Sequence, residues 1–425
     1  MTMILMFASV VAAAQSVHVV QASGTVHVRP DGSIDPPGAP ISSADNVTYV
    51  LTDNVFNESI IIERDDIIFD GAGHAVQGTR VSSSKGISLY GRSNVTISRV
   101  QVNNFTYGIW LSLSYNITVS GNNLTANAND GITLREYSSN NTIVANNIAA
   151  NRDGIYFWNS SNNTVARNRI TDSTASGIEL FEAADNLVMG NRMENCGLGI
   201  FMSVSSDCSF YQNSFVNNTE QAAIYFCNST VWDHDSEGNY WNDYDGVDLN
   251  NDGIGDVFHE IDESSMDRPS LMGAFYDFPA SPPSAPGNET YRVTIISNST
   301  VSDFKLVDLS SPTTGSLQQA QAYITFNASG TEGDGGFCRI MFPRELMNDS
   351  YSVFVNRQEV NFTELPISDE THAYPYFTYS HSTLDVIVIP EFQSLVILLP
   401  FITAAVCAAL LSKRKRRMLY GCLTA

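Results

Sequence analysis

The chain has 425 residues, which is enough for more than one domain, and its acidic residues outnumber its basic residues by 45 to 22. Binding to nucleic acid requires a basic surface that neutralises phosphates, so this balance excludes nucleic acid as a partner. The basic residues are also poorly placed for that role, because only Lys85 and Lys305 among the lysines precede the block Lys413–Arg417.

The first predicted element is an export signal at residues 1–22. Ile4 to Ala14 form an apolar stretch, and Val20-Gln21-Ala22 is typical of a cleavage site, although the usual basic residues before the apolar stretch are missing. We therefore expect the following domains to lie outside the cell. There, Asn-x-Ser/Thr sequons such as those at Asn46 and Asn228 would be exposed to glycosylation.

A parallel β-helix is predicted for residues 45–240 from a Gly-Ile pair that recurs every 22 to 24 residues. Two positions after each Ile stands another apolar residue, so each pair opens a short strand with one buried face. A fixed period of this length predicts a solenoid in which each coil pairs with the next. The glycines of these pairs are Gly86, Gly108, Gly131, Gly154, Gly177 and Gly199, and Ala223-Ile224 continues the series.

A second pattern within the same period places an Asn between two apolar residues. It runs from Val119/Asn122/Leu124 to Phe210/Asn213/Phe215. Asparagine tolerates the left-handed conformation of a corner, and stacked side-chain amides can form hydrogen bonds from coil to coil. We interpret these asparagines as structural residues.

The Gly-Ile and Asn-x-Ile steps resemble the right-handed parallel β-helix repeats of the carbohydrate-binding and sugar-hydrolase class, in particular archaeal NosD-like surface proteins. The resemblance covers roughly half of the chain. It extends to Gly238-Asn-Tyr-Trp241, which is similar to the end of NosD-like domains. The resemblance implies an extracellular protein that binds carbohydrate. The NosD name also suggests copper, but the histidines are dispersed, and we expect no copper site.

The residue after each Gly-Ile pair is predicted to face outward, and aromatic residues are frequent there. We interpret this face as a platform on which the sugar rings of a glycan, or the surface of another partner, could bind. Strand propensity or cover by another domain would also explain the aromatic residues. The candidate ligand-binding residues are Trp110, Tyr156, Trp158, Phe181, Phe201, Tyr225 and Arg135.

The main alternative function is a polysaccharide lyase or glycoside hydrolase, and a second is a purely structural role in a surface layer or in adhesion. An enzyme of the first kind would need clustered carboxylates. The candidates are Glu179, Glu182 and Asp185, whereas Asp130 and Asp153, which precede a repeat glycine, are interpreted as turn residues.

The acidic segment at residues 241–278 is predicted to cap the β-helix and to bind calcium. Oxygen-bearing side chains at alternate positions followed by Gly are typical of the first half of a calcium loop. His259 stands where an EF-hand has its bidentate Glu, and the spacing also resembles thrombospondin type 3 repeats. A solvated acidic turn is the alternative. The expected ligands are Asp248, Asn250, Asp252, the Ile254 carbonyl and Asp256.

The rest of the chain is predicted to anchor the protein to a membrane. A Pro-rich linker at 279–287 precedes seven strand-like runs at 288–389, which favour a β-sandwich. An apolar segment at 395–412 followed by the basic tail at 413–425 is typical of a single transmembrane helix with a cytoplasmic C-terminus. Pro390-Glu391-Phe392 also resembles the PEF-type sorting signals of archaeal surface proteins.

Overall fold

The computed structural model describes residues 24–262, 265–281, 290–308, 322–347 and 350–390. The predicted signal peptide, transmembrane helix and basic tail lie outside these residues, as does most of the predicted linker. Within the described ranges, no helix is long and apolar enough to cross a membrane. The described chain is all-β apart from one turn of 3₁₀ helix at Arg344–Leu346.

The N-terminal part is a solenoid with three sheets, A, B and C, in which strands from successive coils pair in parallel. This pairing confirms the predicted parallel solenoid. Sheet A contains β1 (Val26–Val28), β2 (Ile34–Asp35), β6 (Ile60–Ile62), β9 (Lys85–Tyr90), β12 (Tyr107–Ser112), β15 (Asp130–Arg135), β18 (Asp153–Trp158), β21 (Ser176–Phe181), β24 (Leu198–Ser203) and β27 (Glu220–Tyr225). Sheet B contains β3 (Ile41–Ser42), β4 (Thr48–Leu51), β7 (Ile67–Asp70), β10 (Val95–Ser98), β13 (Thr118–Ser120), β16 (Thr142–Val144), β19 (Thr164–Ala166), β22 (Leu187–Met189) and β25 (Ser209–Tyr211). Sheet C contains β5 (Val55–Phe56), β8 (Ala75–Gln77), β11 (Gln101–Asn103), β14 (Asn123–Thr125), β17 (Asn147–Ala149), β20 (Arg169–Thr171), β23 (Arg192–Glu194), β26 (Ser214–Val216) and β28 (Tyr240–Trp241).

The repeat glycines stand where the chain passes from sheet C to sheet A. A Cβ atom on Gly131 would lie 2.6 Å from the Ile148 side chain and 2.7 Å from the Gly154 carbonyl oxygen. Because neither neighbour can move away in a packed core, only Gly fits there. The Ile that follows, such as Ile132, is fully buried. In each Gly-Ile pair, the Gly therefore allows the close approach of neighbouring coils, and the Ile that follows fills a position in the core.

The last coil differs from the prediction. Strand β27 pairs with β24 so that Ile200 lies beside Ala222 and Ser203 beside Tyr225. Gln221 therefore occupies the position of the repeat glycine, and Ala223-Ile224 is not the equivalent of a Gly-Ile pair. Tyr225 therefore pairs with Ser203 and not with Phe201, so the prediction that Tyr225 holds the same repeat position as Phe201 was wrong. The missing glycine concealed the true register.

A ladder of buried asparagines runs along the corner between sheets B and C. Each side-chain amide donates to the Oδ1 atom of the next Asn at 2.9–3.0 Å, and the same Oδ1 accepts the backbone N–H of the preceding Asn. The other hydrogen of the same side-chain amide is donated to a backbone carbonyl oxygen of the preceding coil. The predicted ladder is thus confirmed, and its members are Asn122, Asn146, Asn168, Asn191, Asn213 and Asn239.

The left-handed corner residue is not the ladder asparagine itself. It is the residue before it, with φ of 55° at Ala145, 56° at Arg167 and 56° at Gln212. The sequence prediction assigned this conformation to the Asn, so that assignment was wrong. The corner forces a left-handed backbone on whichever residue precedes the amide, and the hydrogen bonds of the ladder offset its cost.

Asp267 terminates the ladder at its C-terminal end. Its Oδ2 atom accepts the backbone N–H of Asn239 at 2.7 Å and the side-chain amide of Asn239 at 3.3 Å, as the next ladder amide would. It also accepts the indole N–H of Trp241 at 2.6 Å. Burial of this carboxyl raises its pKa to about 7, although the bonds from Trp241 and Asn239 act in the opposite direction.

Beyond the solenoid, a hairpin and two antiparallel sheets complete the described chain. The two sheets, D and E, share one buried hydrophobic core that includes Val293, Phe326 and Val386. The hairpin is β29 (His259–Asp262) with β30 (Ser265–Asp267). Sheet D contains β31 (Ala274–Ala280), β32 (Tyr291–Ser297), β35 (Gly335–Pro343), β38 (Thr363–Glu364), β39 (His372–Ala373) and β40 (Pro375–Ser380). Sheet E contains β33 (Thr300–Asp308), β34 (Ala322–Ser329), β36 (Tyr351–Val355), β37 (Gln358–Val360) and β41 (Thr383–Pro390).

Strand β31 corrects the predicted boundary of the linker. Residues 274–280 pair with β32 along their whole length, so Pro279 belongs to a strand. Strand β31 is at the edge of sheet D, where the missing N–H of a proline is tolerated. The antiparallel region therefore begins before the predicted linker.

Ion pairs fix sheet D against the end of the solenoid. The Arg339 guanidinium, which is 3% exposed, contacts Glu237 at 2.8 Å, and Asp277 lies 3.6 Å from Arg167. The backbone N–H of Phe275 donates to the Ser214 hydroxyl at 3.0 Å. These contacts lie on sheet C and its corner with sheet B. Sheet D therefore packs on a side of the solenoid other than the outward face of sheet A.

Substitution of Asn168 by Ala should strongly destabilise the solenoid. It leaves the buried backbone N–H of Asn146 without its partner, at a cost of about 1–3 kcal/mol, and it removes the bonds of the Asn168 side chain to the Asn146 amide and the Ile143 carbonyl, at about 1 kcal/mol each. We expect a loss of at least about 2 kcal/mol in the free energy of unfolding measured with denaturant. Asn147→Ala is the matched control, since Asn147 is exposed and should cost less than about 0.5 kcal/mol. Equal losses would contradict the structural role of the ladder.

Substitution of Asp267 by Asn should remove a pH-dependent part of the stability. The folded pKa is about 7 against an ordinary value of 3.8, so the folded protein holds this proton more tightly than the unfolded chain. This contribution is fully present below about pH 4 and is lost as the pH rises through about 7. Between these values, the free energy of unfolding should fall more steeply for the wild type than for Asp267→Asn. Parallel pH profiles would show that Asp267 does not titrate in this way.

Candidate functional site: the outward face of sheet A

The outward side chains of sheet A form three columns because its strands pair residue by residue from coil to coil. Neighbouring strands lie about 4.8 Å apart, so equivalent side chains are in contact range. The first column contains Lys85, Tyr107, Asp130, Asp153, Ser176 and Leu198. The central column contains Ser88, Trp110, Thr133, Tyr156, Glu179, Phe201 and Ala223. The third column contains Tyr90, Ser112, Arg135, Trp158, Phe181, Ser203 and Tyr225.

Cations of the protein itself cover the two outward tryptophans. The Lys85 ammonium lies 4.1 Å from the ring centroid of Trp110, and the Arg135 guanidinium lies 5.2 Å from the same ring. Arg135 also lies 4.2 Å from the ring of Trp158. Because Lys85 and Arg135 come from the strands on either side of β12, the faces of Trp110 are occupied. The predicted stacking of sugar rings on Trp110 is therefore not supported by its surroundings.

Asp130 and Asp153 are buried carboxyls of the first column. Asp130 is 3% exposed and accepts the Thr133 hydroxyl at 2.7 Å, whereas Asp153 is fully buried and pairs with Arg152. Burial raises the pKa of both, that of Asp130 to about 7. The interpretation of these residues as turns was wrong, because each begins a strand and points its side chain outward beside the central column.

Glu179 is a carboxyl of the central column that receives no hydrogen bond from any described residue. It lies between Tyr156 on one neighbouring strand and Phe201 on the other. Burial, and then the charge of Asp153, raise the pKa of Glu179 to about 7, and Arg152 acts in the opposite direction. Glu179 is thus half-buried between two rings, with its hydrogen-bonding capacity free.

The other two candidate catalytic residues occupy a turn. Glu182 and Asp185 are exposed and adopt left-handed backbone conformations, with φ of 52° and 55°, between sheets A and B. Positions of this kind recur in every coil, for example at Asn159 and Asn162. Glu182 and Asp185 therefore lie in the corner between sheets A and B, outside the columns that contain Glu179.

In the predicted calcium loop, the carboxylates of Asp248 and Asp256 accept hydrogen bonds from backbone N–H groups of the loop itself. Both oxygens of Asp248 accept backbone N–H groups, from Asp252 at 3.1 Å and from Gly253 at 2.9 Å. Asp256 accepts the N–H of Leu249 at 2.6 Å, and the Asn250 amide donates to Asp252 at 3.1 Å. Gly253 has a φ of 82°, which favours glycine. The arrangement is a compact acidic turn, and calcium binding stays a prediction.

The sequence of the solenoid is similar to one known protein family. Residues 41–246 match the model of the family described as "Periplasmic copper-binding protein (NosD)". The chain is 31% identical over 159 residues to the "Probable ABC transporter binding protein NosD" of Stutzerimonas stutzeri, and 29% identical over 156 residues to the protein of that name from Pseudomonas aeruginosa. These matches cover 37% and 36% of the chain. They span only 34% of each relative, so the solenoid is a distant relative of part of those proteins.

Similar coils occur in solved structures, at low overall similarity. A periplasmic alginate epimerase, AlgG, matches with a TM-score of 0.33 and 21% identity over 40% of each chain. The pectate lyase Pel9A matches with a TM-score of 0.32 and 12% identity, over 46% of this chain and 59% of its own. Similarity at this level carries no conclusion about activity.

Substitution of Arg135 by Ala should expose the outward tryptophans. Trp232 and Trp241 are about 1% exposed, so only Trp110 and Trp158 can respond to a change at this face. We expect stronger quenching of tryptophan fluorescence by acrylamide, with a loss of about 0.5–1 kcal/mol in stability from the cation–π contacts. Arg169→Ala on sheet C is the control and should leave quenching unchanged. Equal quenching in both variants would show that Arg135 does not cover the rings.

Proposed function

We propose that this chain is a surface protein that binds glycan through the outward face of sheet A. The observation that carries the proposal is the run Tyr156–Glu179–Phe201 in the central column, in which two half-buried rings flank a carboxyl that receives no hydrogen bond from the described residues. Sugar rings present apolar C–H faces that pack on aromatic rings, and their hydroxyls donate to carboxylates.

The continuity of the columns from coil to coil supports an extended ligand. Phe181, Ser203 and Tyr225 continue the face in the third column, and Phe201 and Tyr225 are in ring contact at 5.8 Å between centroids. With strands about 4.8 Å apart, the step from Tyr156 to Phe201 covers two strand spacings, or about 10 Å. A polymer aligned with the solenoid axis would therefore contact more than one ring.

The location that we propose is the outer side of a cell membrane. The apolar segment 395–412 would form the anchor and the basic tail 413–425 would remain in the cytoplasm, as the positive-inside rule favours. This would place the solenoid and sheets D and E outside the cell. The alternative is a structural role in a surface layer without any glycan ligand. Failure of the wild type to bind any polysaccharide would favour this alternative.

Copper is the ligand that the description of the matching family names. We propose that this chain does not use it, because soft ligands such as Cys and Met are not grouped on the outward columns. The four described cysteines have no disulfide partner, and Cys196, Cys208 and Cys338 are buried. Metal analysis of the purified full-length protein should show less than stoichiometric copper.

A hydrolase is the second candidate function, and Glu179 is the residue that favours it. A carboxyl with a pKa of about 7 is protonated in about half of the molecules at pH 7, so it could serve as a general acid, and Asp130 and Asp153 lie on the two preceding strands of sheet A. Cleavage would release new reducing ends from the bound glycan. The same samples therefore separate a binding protein from an enzyme.

Removal of the rings of Tyr156 and Phe201 should weaken glycan binding. Tyr156→Ala combined with Phe201→Ala should lower retention on a polysaccharide panel at least about fivefold, because stacking on each ring contributes about 0.5–1.5 kcal/mol beyond area burial. Tyr115→Ala combined with Tyr137→Ala removes two exposed rings outside the columns and should have no effect. Retention that survives loss of Tyr156 and Phe201, or no retention by the wild type, would refute the proposed site.

We also propose that the loop from Asp248 to Asp256 binds calcium. Asp248→Asn should reduce calcium affinity at least about tenfold in calorimetric titration, because one ligand charge is lost. Asp243→Asn, which removes an exposed carboxylate before the loop, is the control. Absence of calcium binding at millimolar concentration would leave the loop a purely structural turn.

A further inference from the structure

Glu179 lies among groups that would bind a cation, and no Lys or Arg of the described residues forms an ion pair with it. Its neighbours in the central column are Tyr156 and Phe201, and Phe181 stands two residues along its own strand. Among the described residues, no Lys or Arg lies over the rings of Tyr156 or Phe201. Glu179 itself receives no hydrogen bond from them, although such a carboxylate can accept several.

The same sheet shows what its aromatic rings bind when a cation is present. In the preceding coils, Lys85 lies 4.1 Å from the ring centroid of Trp110, and Arg135 lies 4.2 Å from that of Trp158. These contacts fill the aromatic positions of the N-terminal half of the face. The C-terminal half repeats the rings and adds a carboxyl, but no Lys or Arg of the described residues lies over its rings, and Arg152 beside it is paired with Asp153.

The charge balance near Glu179 also favours a positive ligand. Asp153 raises the electrostatic cost of ionising Glu179, and Arg152, which already pairs with Asp153, offsets it only in part. The whole chain carries a formal net charge of −23 despite its basic tail. This net charge would repel a polymer of uronic acids and attract a cationic polymer.

We propose that the glycan bound at sheet A is an amino-sugar polymer with free ammonium groups, and that Glu179, between Tyr156 and Phe201, binds one of these groups. This inference rests on the proposed glycan-binding function and adds the class of ligand. The ammonium group would donate a charge-assisted hydrogen bond to the Glu179 carboxylate and would make cation–π contacts with the rings of Tyr156 and Phe201. The sugar rings would pack on Phe201 and Phe181.

The test compares two hexasaccharides that differ only at nitrogen. A hexamer of β-1,4-linked glucosamine carries ammonium groups, whereas its fully N-acetylated counterpart carries neutral amides at the same positions. Calorimetric titration of the full-length protein in detergent should give at least about tenfold tighter binding of the glucosamine hexamer, because one charge-assisted bond replaces a weaker neutral one. A hexamer of galacturonic acid should not bind measurably.

Two matched variants assign the preference to Glu179. Glu179→Gln keeps the shape of the side chain and removes its charge, so the ratio of the two affinities should fall to about one. Glu182→Gln removes an exposed charge from the neighbouring corner and should leave the ratio unchanged. Circular dichroism and thermal melts check that both variants are folded. The comparison of the two hexamers on the wild type does not depend on the folding of any variant.

The outcomes separate this inference from the function on which it rests. Equal affinity for the two hexamers, or a preference that persists in Glu179→Gln, would overturn the inference and leave glycan binding intact. Binding of the galacturonic acid hexamer in preference to the others would overturn it in the same way. Failure to bind any hexamer or any member of the polysaccharide panel would overturn both.

Discussion

The hydrogen-bonded stack of Asn side chains is the constraint on which the rest of the solenoid depends. Strands of three residues in sheets B and C satisfy few backbone groups, and each corner leaves a buried N–H without a strand partner. The Oδ1 atom of a ladder residue such as Asn168 accepts both that N–H and the amide of the preceding ladder residue. A shift of one residue would leave several buried groups unpaired, so the ladder fixes the register of successive coils.

The register in turn determines which side chains meet on the outward face of sheet A. It brings Lys85 and Arg135 to opposite sides of Trp110, and it places Glu179 between Tyr156 and Phe201. Sheet D packs on sheet C and its corner with sheet B, through contacts such as that of Phe275 with Ser214. The same scaffold therefore provides one face for its own assembly and another for a ligand.

Sequence reasoning could predict the solenoid because its signals are local and periodic. The Gly-Ile pair recurs because a side chain at the Gly would clash with the neighbouring coil, and the Asn positions recur with the same period. It could not predict the register of the last coil, where Gln221 replaces the glycine. It also missed the cover of Trp110 by Arg135, which depends on strand pairing, and the termination of the ladder by Asp267, which comes from a hairpin outside the repeats.

Disulfide trapping tests the register most directly, since the ladder, the columns and the site all depend on it. Phe201 and Ala223 are neighbours in the central column, so Phe201→Cys combined with Ala223→Cys places two cysteines at adjacent positions on paired strands. The Cα atoms there are about 4.8 Å apart, within the range for a disulfide, whereas Tyr225 lies diagonally further along its strand. The account predicts oxidation of the 201–223 pair, mapped by mass spectrometry, and little linkage between cysteines at 201 and 225. Preferential formation of the 201–225 disulfide would contradict it.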